Sequence, residues 1–188
     1  MKKALLSLAL FSAAFALLVS CGLGPGDKGQ SQSPTNTTQG KVENWIYSTK
    51  TDQMGRGFIK NAFTTSINTV SFGFPYQGDQ HGTLLLRNHP RYGKDIIFNI
   101  EKGQFLSGID GCEVLVRFDE NKPITFRAVG PEDNSTTAIF IKGYSQFVKS
   151  LKRSKKVKIE APFYQEGQRV FEFNVEGLVW ETETLKKK

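Results

Sequence analysis

The chain has 188 residues, 38% hydrophobic, 12% aromatic and 23% charged. That is the composition of a folded domain, long enough for one real core and too short for two. The formal charge of +7 falls to +5 if Lys2 and Lys3 leave with an N-terminal leader, a moderate excess that permits attraction to anionic lipid or glycan without demanding it.

The leader comes first in chain order. Met1-Lys2-Lys3 is a short positive segment, and Ala4 to Val19 is an uncharged apolar run. Its length suits the hydrophobic region of a signal peptide and is short for a membrane span. It ends in Leu18-Val19-Ser20-Cys21-Gly22. These residues resemble the lipobox of bacterial lipoprotein precursors. The resemblance implies that residues 1–20 are removed, that the Cys21 sulfur is diacylated and that its new amine is often acylated. Two or three acyl chains anchor stably where one binds reversibly. Gly22 stands where an Asp would signal inner-membrane retention. By resemblance to Gram-negative sorting, the expected location is therefore the periplasmic face of the outer membrane; in a Gram-positive cell it is the outer face of the cytoplasmic membrane. An exported, tethered protein rarely meets nucleic acid, so none is expected as a partner.

Residues 22–40 read GLGPGDKGQSQSPTNTTQG. Such a stretch buries too little apolar surface to offset ordering entropy, so residues 21–40 are expected to be a lipidated cysteine and a flexible tether. The domain is expected to span residues 41–184, with a basic tail at 185–188.

Strand patterns dominate that domain. Trp45 to Thr51, Gly57 to Thr65 and Thr69 to Phe74 come first, with Phe72 and Phe74 placed on one side. Thr83 to Arg87 follows, then Asp95 to Ile100 with Ile96, Phe98 and Ile100 on one face. Glu113 to Asp119 alternates Val114, Val116 and Phe118 against Glu113, Leu115 and Arg117. A turn at Glu120-Asn121-Lys122-Pro123 leads into Ile124, Phe126 and Ala128, which makes a hairpin. Ala138 to Ile141 is a further short strand. Helical spacing is clear once, at Tyr144, Phe147, Val148 and Leu151, with Ser145 as the expected cap. Val157 to Ala161, a turn over Phe163 to Gln168, and Val170 to Val175 follow, and Gly177 to Trp180 closes the domain. About nine short strands with one helix near the C-terminal part predict a single, mostly β domain, a β-sandwich or partly open barrel, with the helix over one end or face.

A family resemblance rests on Leu84 to Arg87, on Arg117-Phe118-Asp119, on Phe147 and Leu151 of the helix, and on Phe171, Phe173, Gly177 and Leu178. Over roughly residues 83 to 180 this order resembles the C-terminal domain of the type VI secretion-associated VasI/TagO family, and a set of uncharacterised phage and proteobacterial lipoproteins. The resemblance implies a small exported β-domain and supplies no activity. Such domains often carry a cysteine pair here; in this chain Cys112 has no partner, and Ser107 sits in the preceding segment.

Several residue groups carry candidate chemistry. Lys149, Lys152, Arg153, Lys155, Lys156 and Lys158 form the notable charge run. It reads either as a contact for anionic lipid head groups, lipopolysaccharide or an acidic protein, or as a solvated helix end and strand edge guarded by lysine. Arg117 and Asp119 flank Phe118 and are expected to be a structural turn pair, with a ligand-facing ion pair as the alternative. Asp79, His81, His89 and Asp95 fall in one window, but the histidine spacing matches no familiar zinc pattern and Arg87 and Arg91 lie close, so no metal site is expected. Phe74-Pro75-Tyr76 and Phe163-Tyr164 place aromatics beside turns, either as a recognition surface or as the closure of the core ends. With Cys21 acylated, Cys112 is the one remaining thiol and forms no internal disulfide. It reads as buried and inert, or else as an intermolecular or redox-sensitive thiol. The nucleophile elbow, the phosphate-binding loop and the His-Glu-x-x-His motif are all absent from the sequence. The expectation is a non-enzymatic, lipid-anchored envelope protein, without cofactor, whose β-domain binds an envelope partner. An envelope hydrolase acting on glycan or lipid and a structural coat lipoprotein are the alternatives.

Overall fold

The structure is a computed structural model that describes residues 44–180. The leader, Cys21, the tether and the basic tail lie outside the described residues.

The described residues fold as a mostly β domain of eleven strands and one helix. The first half contains β1 (Ile46–Thr51), β2 (Phe58–Thr65), β3 (Val70–Phe72), β4 (Gly78–Gln80), β5 (Gly82–His89) and β6 (Gly93–Ile100). The second contains β7 (Cys112–Phe118), β8 (Ile124–Val129), β9 (Ala138–Ile141), α1 (Tyr144–Leu151), β10 (Lys156–Phe163) and β11 (Gly167–Asn174). Nine strands form one antiparallel sheet in the order β1-β2-β5-β6-β9-β8-β7-β10-β11, and β3 and β4 make a separate ribbon.

The sheet curls on itself into a partly open barrel. Its backbone ladder does not close, but a seam of single bonds joins the end of β2 to β11. Ile67 N–H donates to Glu172 O at 2.7 Å. Asn68 accepts from Glu172 N–H through Oδ1 at 2.7 Å and donates through Nδ2 to Val170 O at 3.0 Å. The hydroxyl of Thr64 reaches Asn174 O at 3.4 Å. The early part of β2 (58–63) pairs instead with β1, whose residues are almost all exposed on both faces.

Alternation explains the interior. Leu84 and Leu86, Ile96 and Phe98, Val114 and Val116, Val157 and Ile159, and Phe171 and Phe173 all point inward and are essentially inaccessible to water. Inward rings meet edge-on, as Phe98 does with Phe171 at 5.4 Å and Phe173 at 6.0 Å, a favoured aromatic geometry. Packing is close enough that a Cβ at Gly82 would lie 2.8 Å from Phe98 and 2.9 Å from Phe171. The barrel is therefore filled by its own side chains.

The helix lies over one end. Phe147, Val148 and Leu151 are buried, Tyr144 packs at the margin, and Phe147 sits 5.3 Å from both Phe118 and Phe126. Several local expectations need correction. Ser145 does not cap α1; Gly143, in a left-handed conformation, holds the cap position and no side chain bonds there. Phe74 does not share the side of Phe72. The strand β3 stops at Phe72, which is buried, whereas Phe74 is 81% exposed. Phe163 belongs to β10, and the turn to β11 is Tyr164 to Glu166. Gly177 to Trp180 closes the domain as irregular chain, with Trp180 buried and its Nε1–H donating to Tyr144 Oη at 2.7 Å. The ribbon strand β4, with no apolar alternation, has no sequence signal.

Candidate functional site

Successive sheet strands run antiparallel, so the connections divide between two ends of the barrel. One end, the helix end, carries the β1–β2, β5–β6 and β7–β8 turns and α1. The other, the loop end, carries residues 66–81, 101–111, 130–137 and the β10–β11 turn.

At the loop end, backbone bonds knit irregular segments together. Phe105 N–H donates to Thr136 O at 2.8 Å, Leu106 N–H to Pro162 O at 2.9 Å and Tyr164 N–H to Gln104 O at 2.9 Å. Glu166 fixes a further loop by accepting Gly73 N–H at 2.6 Å and Arg169 at 2.8 Å. Those two donors, the backbone amide first, hold its carboxyl below the usual range. Between these loops opens a cleft of about 470 Å³, lined by Gln104, Ser107, Ile109, Pro131, Asn134 and Thr136 among others, without a charged side chain. Several apolar side chains are exposed on the cleft and on the loops around it. Ile109 is fully exposed, Leu106 is 54% exposed, and Phe74 and Tyr164 of the neighbouring loops are exposed as well. Ser107 Oγ is buried without a conventional hydrogen bond. The Ser107 hydroxyl does temper the Cys112 thiol, whose pKa is nevertheless pushed up, chiefly by burial. A hydroxyl–thiol contact is weak and leaves the hydroxyl largely unsatisfied. The raised pKa keeps Cys112 protonated and poorly nucleophilic near neutral pH.

A second cleft, about 460 Å³, lies on the outer wall beside Arg87, Asp95, Phe140 and Lys142. Arg87 spends its charge locally, 2.7 Å from Asp95 and over the Phe140 ring at 5.6 Å.

At the helix end the charge run divides. Lys156 and Lys158 both bind Glu172, at 2.8 and 3.3 Å, and Lys155 lies 3.8 Å from Glu176. The exposed Lys149 and Arg153 side chains make no hydrogen bond or ion pair among the described residues, and Lys152 is also exposed. Arg117 and Asp119 both belong to the turn region but do not bind each other. Arg117 binds Glu120 and donates to Asn121 O at 3.2 Å. Asp119 accepts the backbone N–H groups of Lys155 and Lys156, each at 2.9 Å, which lowers its pKa and ties the β7–β8 turn to the start of β10.

The histidine window does not converge. His81 Nδ1 faces Ser66 O at 3.2 Å, and His89 Nδ1 accepts Arg91 N–H at 3.1 Å while its ring packs on Tyr92. Among the described residues no three His, Cys, Asp or Glu side chains form a metal-holding group. The sequence pattern does not single out Gln104, Ile109, Asn134 or Thr136, because they lie in polar coil where neither period operates.

No protein-family model matches the chain, and no match was found among curated proteins or solved structures.

Proposed function

We propose that this is a lipid-anchored cell-envelope protein, held in the membrane through Cys21, whose β-domain binds an envelope protein without catalysing a reaction. The observation that carries the reading is Leu18-Val19-Ser20-Cys21-Gly22, after an uncharged apolar run and before a polar stretch. A filled barrel supports the binding role, because recognition then has to use the outside of the domain. The uncharged loop-end cleft, with Ile109 on its lining and exposed Phe74, Leu106 and Tyr164 on the loops of the same end, is the surface best suited to a protein partner. The partner is a secretion-apparatus component or a receptor blocked by a phage-encoded lipoprotein. In a Gram-negative cell the anchor lies on the periplasmic face of the outer membrane. Cys21→Ser is expected to abolish acyl labelling; a normally lipidated variant overturns the anchor. A photo-cross-linking residue at Ile109 or Phe74 is expected to capture one dominant envelope protein in cells. Equal capture from Lys60, on the β1–β2 ribbon, would overturn the assignment of the loop end.

A further inference from the structure

The helix end combines three features that belong together at a membrane surface. First, the chain coming from Cys21 enters the domain beside the C-terminal end of β11 and the start of β10, at the opposite end of β1 from Met54. Asn44 Nδ2 donates to Glu176 O at 3.2 Å, Trp45 Nε1–H to Val175 O at 2.9 Å, and Val175 N–H to Lys155 O at 2.8 Å. The entry point is thus two bonded steps from Lys155. Second, cations outnumber acids that remain available. Lys149 and Arg153 are exposed around the helix and make no ion pair among the described residues, whereas Glu172 is engaged by two lysines, Glu176 faces Lys155, Glu120 is held by Arg117, and Asp119 is bound to backbone. Third, the turns at this end carry apolar tips. Met54 is 76% exposed, Phe58 62% and Tyr92 58%. The β1–β2 and β5–β6 turns are neighbours, since a Cβ at Gly57 would lie 3.9 Å from Pro90.

We infer that the helix end is a membrane-contact face, which docks on the anionic phospholipid surface to which the chain is tethered and points the loop-end cleft away from it. The inference rests on the lipid-anchor reading. Basic side chains attract anionic head groups, and aromatic and aliphatic tips enter the interfacial layer. Residues 22–43 are twenty-two in number; a random coil of that length spans roughly 25 Å, close to the roughly 26 Å of an eight-residue strand, so tether length by itself does not select an end. Charge and apolar tips select the helix end, and the tether holds them at high local concentration.

The full, processed lipoprotein tests this after reconstitution into vesicles of phosphatidylcholine alone or mixed with phosphatidylglycerol. A water-soluble amine-acylating reagent is applied, and labelling at each lysine is read by mass spectrometry. On the anionic vesicles labelling of Lys149 and Lys152 should fall about fivefold, the partitioning expected for one cation at such a surface. Lys102, on the loop end, should not change, and high salt should restore labelling. Replacing Lys149, Lys152 and Arg153 together by Glu should remove protection from Lys155. Acylated, vesicle-bound protein with equal labelling at both ends, or with Lys102 protected instead, overturns the orientation and leaves the anchor standing. A chain lacking the acyl mass that fails to float with vesicles overturns the anchor, and the orientation falls with it.

Discussion

Phe147 and Phe74 are the same residue type in very different positions, and their truncation tests the fold directly. Phe147 is fully buried and touches Phe118 and Phe126 edge-on at 5.3 Å. Phe74 is 81% exposed. Truncating a buried Phe to Ala costs about 3–5 kcal/mol, part transfer energy and part cavity. The loss of Phe147 should lie in that range, because an eight-residue helix has little stability of its own and depends on its docking contacts. At about 3 °C per kcal/mol for a domain of this size, Phe147→Ala should lower Tm by roughly 10–15 °C. Phe74→Ala should change stability by less than about 0.5 kcal/mol. Urea unfolding of the mature protein, followed through the buried Trp45 and Trp180, measures both. Equal midpoints for the two variants would refute the packing of α1 over the barrel end.

Three further perturbations probe single contacts. Arg56 grips Asp52 through Nε at 2.8 Å and Nη2 at 3.1 Å, and that bond, ahead of the backbone donors, lowers the Asp52 pKa from 3.8 to about 2. Because the folded value is the lower one, its stabilisation is complete above pH 3.8 and is lost as pH falls toward 2. Asp52→Asn should therefore be less stable than the parent at neutral pH, with the two stability curves converging in acid; a gap that is constant with pH would contradict the assignment. Gly111→Ala should destabilise by more than about 1 kcal/mol in urea unfolding, since Gly111 has φ +86° and a Cβ there would lie 2.2 Å from Ala128 O. Asp119 has φ +49° and accepts two amides. Asp119→Asn, which tolerates that conformation and keeps an acceptor, should be nearly neutral, while Asp119→Ala should cost about 1–2 kcal/mol. Equal losses in those two variants would mean that the carboxylate is not acting as the cap.

Local text carried the strands and the helix face. Val114, Val116 and Phe118 alternate, as do Phe171, Phe173 and Val175, and each set is buried because pleating sends every second side chain to the same face. The helical spacing of Phe147, Val148 and Leu151 likewise matched the buried stripe. Strand order was not legible. Pairing β6 with β9, and β7 with β10, depends on contacts remote in sequence, and an alternating pattern says which face is buried without saying which strand lies alongside. The same limit governs the surface. Arg117 and Asp119 were visible as turn charges; Arg117 finds its partner three residues on, in Glu120, but the Lys155 and Lys156 amides that Asp119 binds are brought to it only by the packing of β7 against β10.

The sequence on its own settles the alternating burial pattern, the one amphipathic helix and the cluster of cations at its end, because these follow from short-range periodicity and composition. Tertiary structure decides which surfaces those features form. It gathers residues 101–111 and 130–137 around one uncharged cleft, and it brings Met54, Tyr92 and Lys149 to the opposite end. That division comes from the antiparallel order of the strands. Each turn's end of the barrel is fixed by how many times the chain has already crossed, a property of the whole path that no local stretch of residues encodes.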